Sequence, residues 1–169
     1  AIARIHHALR QQMENIILIG MPGCGKSTVA AALGRDLGRE VVEADTLIAE
    51  KAGMSIPEIF AQSGEDGFRA LETEILAEHG KRSGIILSTG GGCVTRQENY
   101  PLLHQNGTIF CLTRGLSKLP TAGRPISQST DLAQLYARRK PLYERFADCT
   151  VSNDGALQDT LNTIKEALK

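Results

Sequence analysis

The sequence predicts an α/β fold, a three-layer α/β/α sandwich with a central parallel five-stranded sheet. Short apolar runs alternate with stretches of helical periodicity along the chain, which is the pattern of a parallel sheet covered by helices on both faces. A glycine-rich segment stands between the first apolar run and the helix that follows it. The chain has 169 residues, a length that suits one domain with a full core.

The first predicted element is a helix within residues 1–14. Its apolar residues share one face and are Ile2, Ile5, Leu9 and Met13. An apolar face ahead of the first strand must pack on something. We expect either a helix that covers the domain or a linker from a preceding domain of a longer chain, and we place the main domain at residues 15–169.

The remaining elements alternate between strands and helices. Five strands are predicted, at residues 15–19, 39–43, 85–87, 108–112 and 149–152. Helices are predicted at residues 27–37, 45–52, 55–79, 96–105, 129–146 and 155–168. Residues 113–127 show no periodicity and contain two arginines and a lysine, so we expect a positively charged loop there. Ligands of parallel sheets bind beyond the carboxyl ends of the strands.

The segment Gly20–Ser27 matches the pattern G-x-x-x-x-G-K-[ST] of phosphate-binding loops. Its glycines allow backbone N–H groups to surround phosphate oxygens. Lys26 supplies a positive charge to the β- and γ-phosphates, and Ser27 offers a hydroxyl to Mg²⁺. The strand before this loop and the helix after it are the context that the motif requires. The segment predicts a site for a nucleoside triphosphate.

Two carboxylates follow the second predicted strand. Glu43 and Asp45 are two positions apart, and in an extended chain such residues point to the same side. A carboxylate at a strand end can hold Mg²⁺ directly or through water. The alternative for Asp45 is a helix cap, since a helical stretch follows it.

A run of three glycines, Gly90–Gly92, follows the third strand. Three glycines lower stability through backbone entropy, so we interpret them as the close approach of a ligand to the backbone. Three arginines lie in distant segments, Arg69, Arg124 and Arg139. A guanidinium group is the natural receptor for a carboxylate substrate. The alternative for Arg69 is an ordinary surface pair with Glu72, and Arg139 could belong to a solvated basic face.

Composition excludes several other classes of protein. Lys plus Arg and Asp plus Glu both total 19, so the net charge is zero, which argues against nucleic acid as a partner. No apolar run approaches the length that a bilayer requires, so we expect no membrane association. The four cysteines form no C-x-x-C pair, which makes a metal site of thiolates improbable and suits the reducing cytoplasm.

Taken together, these segments resemble the shikimate kinase family over about residues 15–168. The matching pieces, in chain order, are Gly20–Ser27, Asp45–Ile48, Ser55–Phe60 with Gly64–Glu65 and Phe68–Glu72, Ser88–Gly92, Gly123–Ile126 and Arg138–Tyr143. The resemblance implies the P-loop fold of nucleoside monophosphate kinases and, as activity, phosphorylation of the 3-hydroxyl of shikimate by ATP with Mg²⁺. It implies a small-molecule substrate, and we expect a monomer.

The resemblance also implies roles for individual residues. Asp45 would hold the acceptor hydroxyl and serve as its base, and Arg124 from a lid at about residues 113–127 would stabilise the transferring phosphoryl group. The predicted ATP-binding residues are Gly23, Cys24, Gly25, Lys26, Ser27, Thr28 and Arg124. The predicted shikimate-binding residues are Asp45, Phe60, Phe68, Arg69, Gly90, Gly91, Gly92 and Arg139. Ser27 and, through water, Glu43 would hold the metal ion, and Glu72 would orient Arg69.

The chain departs from the family pattern in two places. The usual D-x-D pair is Glu43-Ala44-Asp45, which suggests altered metal preference. The lid is short, and the arginine that usually stacks on adenine has no clear counterpart, although Arg114 or Lys118 could substitute. Two alternatives therefore stay open: a kinase for another small hydroxy-acid such as gluconate, and a nucleotide-binding module with reduced catalysis.

Overall fold

Five parallel strands form the centre of the protein, in a computed structural model that describes residues 1–120 and 129–169. The strands are β1 (Asn15–Ile19), β2 (Val41–Glu43), β3 (Ile86–Ser88), β4 (Gly107–Thr113) and β5 (Cys149–Ser152). Their order across the sheet is β2-β3-β1-β4-β5, and all four pairings are parallel. This arrangement confirms the predicted fold class, and every predicted strand is present.

Seven α-helices connect or flank these strands within the described part of the chain. They are α1 (Ile2–Met13), α2 (Lys26–Leu37), α3 (Ala44–Ala52), α4 (Ile56–Gly80), α5 (Asn99–His104), α6 (Ser129–Phe146) and α7 (Leu157–Ala167). Two short 3-10 turns lie at Cys93–Thr95 and Leu116–Lys118. None of the described helices combines the length and the apolar character needed to cross a membrane.

Strand β1 lies in the middle of the sheet, and all five of its residues are buried. Leu18 pairs with Ser88 on one side and with Phe110 on the other. Such continuous apolar burial is expected of a strand covered on both faces. The loop that follows β1 therefore leaves the centre of the sheet, at the end where ligands of this fold class bind.

Helix α4 is the longest helix, and Gly64 bends it. Ser55 caps its start: the Ser55 hydroxyl accepts from the Glu58 N–H, and the Glu58 carboxylate accepts from the Ser55 N–H at 2.7 Å. Gly64 adopts φ +66° and ψ −173°, which is not a helical conformation. Gly64 is therefore the cause of the bend. The bend divides the helix into two parts. The second part carries Arg69 and Glu72.

The geometry of the residues after β2 differs from the prediction. The strand ends at Glu43, and Ala44 begins α3, so Asp45 lies in the first helical turn. The extended geometry that we assumed for Glu43 and Asp45 is therefore wrong. A carboxylate in a first turn is favoured by the helix dipole and the free N–H groups, although the N-cap residue is Glu43 and makes no side-chain cap bond.

Candidate active site

A cavity of about 840 Å³ lies at the carboxyl ends of the central strands. Its lining includes ten of the predicted site residues: Gly23, Gly25, Lys26, Ser27, Thr28, Glu43, Asp45, Gly90, Gly91 and Arg139. It also includes Pro22, Thr46, Ile56, Ser88, Thr89, Arg114, Leu132 and Leu135. Arg124 and residues 121–127 of the predicted lid lie outside the described residues. The fold thus brings most of the predicted residues to one space.

The phosphate loop forms one end of this cavity. Gly23 and Gly25 have φ values of +80° and +100°, which L side chains rarely adopt. Gly25 precedes α2 directly, so the helix N-terminus faces the cavity and favours an anion there. The Lys26 ammonium donates to the backbone oxygens of Gly20 at 2.8 Å and Met21 at 3.0 Å. It lies across the loop, where it can neutralise phosphate oxygens.

Ser27 and Glu43 meet beside the loop. The Ser27 hydroxyl donates to the Glu43 carboxylate over 3.1 Å. Hydroxyl and carboxylate oxygens are the hard ligands that Mg²⁺ selects. Among the residues that the structure describes, no cluster of three His, Cys, Asp or Glu side chains could hold a metal. A metal ion at Ser27 and Glu43 would therefore need phosphate oxygens and water as its other ligands, which is usual for Mg²⁺ with a nucleotide.

The glycine run packs against four side chains of the protein, Asp45 and Glu72 at Gly90, Pro22 at Gly91 and Arg69 at Gly92. None of the three glycines has a positive φ. A Cβ on Gly90 would lie 2.8 Å from Asp45 Oδ1 and 2.9 Å from Glu72 Oε2, and one on Gly91 would lie 2.6 Å from the Pro22 ring. The protein's own side chains thus leave no room for a Cβ atom at these positions. These contacts are a second reason for the glycines, and the approach of a ligand to their backbone stays a prediction.

Arg69 and Glu72 form a buried pair and not the surface pair that their spacing allows. Arg69 is 6% exposed and Glu72 is 0% exposed, and Arg69 Nη1 donates to Glu72 Oε1 at 2.8 Å. A Cβ on Gly92 would lie 2.0 Å from Arg69 Nη2, so the guanidinium group packs on that backbone. Arg69 Nε and Glu72 Oε2 have no hydrogen-bond partner among the described residues. A buried donor without a partner is costly unless a ligand satisfies it.

The surroundings of Glu72 act on its pKa in opposite directions. Burial raises the pKa of the Glu72 carboxyl above its ordinary value and is the strongest influence. The charge and the hydrogen bond of Arg69 lower it, and the nearby Asp45 carboxylate raises it. The direction that results is a raised pKa. Glu72 and Asp45 therefore place two carboxylates against the same glycine.

Helix α6 contributes Arg139 and a residue that sequence reasoning missed, Tyr143. Arg139 is 7% exposed and lines the cavity, so it is not part of a solvated basic face. The Tyr143 hydroxyl donates to the Gly91 backbone oxygen at 2.5 Å, and burial raises the pKa of Tyr143. The spacing of four residues that puts both side chains on one helix face was the available signal. Arg69 thus packs on Gly92, and Tyr143, one turn after Arg139 on α6, binds the backbone of Gly91.

Phe60 and Phe68 stack on one another with ring centroids 4.8 Å apart. Phe68 is 4% exposed, and the Arg69 guanidinium group lies 5.2 Å from its ring centre. Both rings stand beside the cavity and do not line it, whereas Ile56 from the same helix does. Cys24 is fully buried and is also absent from the lining, and its backbone N–H donates to the Met21 oxygen at 3.2 Å.

The two cations that we considered for the adenine base differ in their surroundings. Arg114 lines the cavity. The Lys118 ammonium instead donates to the backbone oxygen of Asp154 at 3.1 Å and lies 3.5 Å from its carboxylate. Of the two, only Arg114 is positioned at the cavity.

A phosphate loop, a carboxylate and the buried Arg139 line one cavity, and the buried Arg69 packs on the glycine run beside it. These features define a P-loop kinase for small molecules. The family model described as shikimate kinase matches residues 22–169 of the chain. The chain therefore belongs to the shikimate kinase family. This finding agrees with the resemblance that the sequence motifs carry.

Several characterised relatives share most of their length with this chain. It is 40% identical over 156 residues to a shikimate kinase of Parasynechococcus marenigrum, covering 85% of this chain and 81% of that protein. It is 39% identical to one of Moorella thermoacetica, covering 92% and 94%. Among solved structures, the shikimate kinase of Acinetobacter baumannii in complex with shikimate has a TM-score of 0.88 at 35% identity and covers 96% of both chains.

Proposed function

We propose that this chain transfers the γ-phosphoryl group of ATP to the 3-hydroxyl of shikimate, giving shikimate 3-phosphate and ADP, a step on the route to chorismate and the aromatic amino acids. The observation that carries the proposal is a pair of buried arginines, Arg139 in the cavity of the phosphate loop and Arg69 packed on Gly92 beside it with an unpaired Nε donor. Two guanidinium groups beside a phosphate loop suit an acceptor that bears a carboxylate. The solved relative with shikimate bound has this fold at 35% identity.

On the acceptor side, Asp45 holds the 3-hydroxyl and takes its proton as the phosphoryl group arrives. Arg139 binds the shikimate carboxylate from α6, and Arg69 binds it with the Nε donor that Glu72 leaves unbonded. The backbone of Gly90 to Gly92 lines the pocket for the ring hydroxyls. Because Phe68 packs on Arg69 and Phe60 on Phe68, these rings fix the arginine and extend the pocket wall.

On the nucleotide side, the backbone N–H groups of Gly23 and Gly25, which line the cavity, surround the phosphates, and Lys26 spans the β- and γ-phosphates. The Thr28 hydroxyl also reaches this end, since Thr28 lines the cavity. Arg114 covers the nucleotide at the base of the lid, in place of the arginine that the short lid lacks. Arg124 is proposed to close over the transferring group. It lies outside the described residues.

We include Mg²⁺ in the proposal because the donor set fits it. Ser27 would hold the ion directly, and Glu43, which already accepts from Ser27, would hold it through water. When bound, Mg²⁺ neutralises the charge that develops on the phosphate oxygens. The Ser27 to Glu43 hydrogen bond keeps both side chains oriented toward the loop before a nucleotide arrives.

Gluconate is the competing acceptor. A gluconokinase from Sinorhizobium meliloti has a TM-score of 0.58 with this chain at 17% identity, a level at which the likeness concerns the fold alone. Nothing among the described residues that line the cavity favours gluconate over shikimate.

We also propose that the enzyme is monomeric. We propose that it acts in the cytoplasm, because all four of its cysteines, which lie in the described residues, are free thiols.

The deciding experiment measures ADP release with ATP and Mg²⁺ in three parallel reactions, containing shikimate, gluconate or no acceptor. The phosphorylated product is identified by mass spectrometry. We expect turnover with shikimate and a background rate in the other two reactions. Turnover of gluconate alone would identify the competing kinase. ATP binding without stimulation by either acceptor would instead identify a nucleotide-binding module.

A further inference from the structure

The loop after β5 contacts the phosphate loop through Asn153. Asn153 Nδ2 donates to the Cys24 backbone oxygen at 2.8 Å. Because a carbonyl oxygen can only accept, the amide nitrogen must face Cys24. The Asn153 Oδ1 atom accepts from the Thr160 hydroxyl at 2.8 Å, and Thr160 is 2% exposed. Both ends of the Asn153 amide are therefore fixed.

This contact determines the direction of the next N–H group. In a trans peptide, the C=O of one residue and the N–H of the next point in opposite directions, and the described residues contain no cis peptide. Neither Asn153 nor Cys24 lines the cavity, whereas Gly25 does, so the Cys24 oxygen that Asn153 binds points away from the cavity. The Gly25 N–H is therefore directed into the space where the phosphate loop receives its anion.

The Asn153 side chain also packs directly on Gly25. A Cβ built on Gly25 would lie 2.4 Å from Asn153 Nδ2. Gly25 has φ +100° and immediately precedes α2. Glycine has the largest conformational freedom of any residue, so the peptide between Cys24 and Gly25 can rotate unless something holds it. If it rotated, a carbonyl oxygen would face the phosphate in place of an N–H.

The support is rigid because the loop that carries Asn153 is itself anchored. The Asn153 N–H donates to the Thr113 oxygen at 2.8 Å. The neighbouring Asp154 carboxylate accepts from the Gly115 N–H at 2.8 Å, and Lys118 binds Asp154 as described above. The end of β4 and the loop after β5 thus hold each other beside the phosphate loop.

We propose that Asn153 is a positioning residue of the phosphate cradle, which holds the Cys24 carbonyl outward and so aims the Gly25 N–H at a phosphate of the bound nucleotide. The inference rests on the proposed function only in that a nucleoside di- or triphosphate is the ligand. Asn153 acts through a peptide group. It does not line the cavity, and the cradle is preorganised before the nucleotide binds.

The test compares Asn153→Ala and Asn153→Asp with wild type. Isothermal calorimetry measures the Kd of ADP and of tripolyphosphate, which carries phosphates and no nucleoside. Asn153→Ala removes the donor, and we expect the Kd of both probes to rise about tenfold. Asn153→Asp keeps the shape and turns an oxygen toward the Cys24 oxygen, so its effect should be larger. The shikimate KM should stay within about twofold of wild type, because Arg69 and Arg139 are unchanged.

Asn162→Ala is the matched control, since Asn162 is exposed on α7 and bonds only Gln158 among the described residues. It should leave both Kd values unchanged. The ¹⁵N-resolved signal of the Gly25 amide gives an independent measurement: its shift on adding ADP should be large in wild type and small in Asn153→Ala. If Asn153→Asp does not fold, Asn153→Ala carries the test alone.

Two results would overturn the inference. An unchanged Kd for tripolyphosphate with a raised Kd for ADP would mean that Asn153 contacts the nucleoside and not the cradle. Equal rises in the KM of ATP and of shikimate would mean a general structural defect. Neither the calorimetric Kd values nor the signal of the Gly25 amide requires phosphoryl transfer. A wild-type enzyme that binds ADP and does not phosphorylate shikimate would therefore refute the proposed function and leave this inference standing.

Discussion

The two ends of the cavity are built in different ways. The nucleotide end consists of consecutive residues, Gly20 to Thr28, and it acts mainly through backbone N–H groups between β1 and α2. The acceptor end consists of side chains from α3, the second part of α4, the loop after β3 and α6. The nucleotide end needs one strand, one turn and one helix. The acceptor end exists only when these separate segments have assembled around the sheet.

The two ends also differ in how much folding stability their construction costs. At the nucleotide end, glycines with positive φ provide the geometry at little steric cost. The acceptor end buries Arg69, Glu72 and Arg139, and removing charges from water costs several kcal/mol per ion unless partners are well placed. Arg69 Nε and Glu72 Oε2 remain without partners among the described residues. Substitutions at the nucleotide end should therefore change turnover, and those at the buried charged residues of the acceptor end should change substrate affinity and stability together.

Lys26→Ala should have the largest effect. It removes the ammonium group that bonds the Gly20 and Met21 oxygens across the loop. We expect kcat to fall about 1,000-fold, since one lost charge-stabilising donor in an active site costs up to that factor. The measurement is steady-state ADP release with saturating shikimate. Lys140→Ala, at an exposed lysine of α6, is the control. A comparable loss of kcat in Lys140→Ala would show that the loss in Lys26→Ala is not specific to the phosphate loop.

Asp45→Asn should lower kcat about 100-fold and leave the Kd of ADP near its wild-type value. The amide keeps the shape of the carboxylate in the first turn of α3 but cannot take the proton of the acceptor hydroxyl. Single-turnover transfer and calorimetry with ADP separate the two effects. Asp159→Asn, in the first turn of α7, should change neither. Near-normal turnover of Asp45→Asn would exclude Asp45 as the base.

Arg139→Ala should raise the shikimate KM about 30-fold, because a charge-assisted pair with the substrate carboxylate is lost. The KM of ATP should change by less than about threefold. Arg138→Ala is a close control, since Arg138 is the exposed neighbour on the same helix. If ATP affinity fell more than shikimate affinity, Arg139 would belong to the nucleotide end.

The difference between the two ends explains what the sequence could predict. The phosphate loop and its flanking strand and helix were predicted correctly because consecutive residues specify them. Sequence reasoning alone left Arg69 and Glu72 open, since a spacing of three residues is the same on a buried and on a solvent-facing helix side. What distinguishes the two cases is the packing of Arg69 on Gly92, which belongs to another segment.

Other features were out of reach because their partners are distant in the chain. Tyr143 bonds Gly91 across 52 residues, and Asn153 bonds Cys24 across 129. No local pattern marks either contact. The extended geometry assumed for Glu43 and Asp45 was wrong because α3 already begins at Ala44, and such element boundaries depend on capping geometry.

Glu72→Gln should raise the shikimate KM about tenfold, because Arg69 loses its charged partner and with it a fixed orientation. It should also change the pH dependence of stability. Burial raises the pKa of Glu72 in the folded state, so the wild type binds this proton more tightly when folded. The stability that the wild type gains from protonated Glu72 is fully present below the unfolded pKa of about 4.3. It is lost as pH rises through the folded pKa.

Glutamine does not titrate, so the unfolding free energy of Glu72→Gln minus that of wild type should increase as pH rises from about 4 toward neutral. Urea unfolding at a series of pH values measures this difference. Glu74→Gln, on the same helix at an exposed position, should show no such trend. A difference that stays flat with pH would mean that the pKa of Glu72 is not raised.

Tyr143→Phe should have the smallest effect and the most specific one. It removes only the hydroxyl that donates to the Gly91 oxygen and leaves that buried oxygen unsatisfied, at a cost of about 1–2 kcal/mol in unfolding free energy. The shikimate KM should rise about threefold, since Gly91 lines the pocket, while the Kd of ADP stays the same. Tyr136→Phe, at a half-buried tyrosine of the same helix, is the control. Because the hydroxyl touches only the acceptor end, an equal loss of ADP affinity would show that the two ends of the cavity are not separate in the way that their construction indicates.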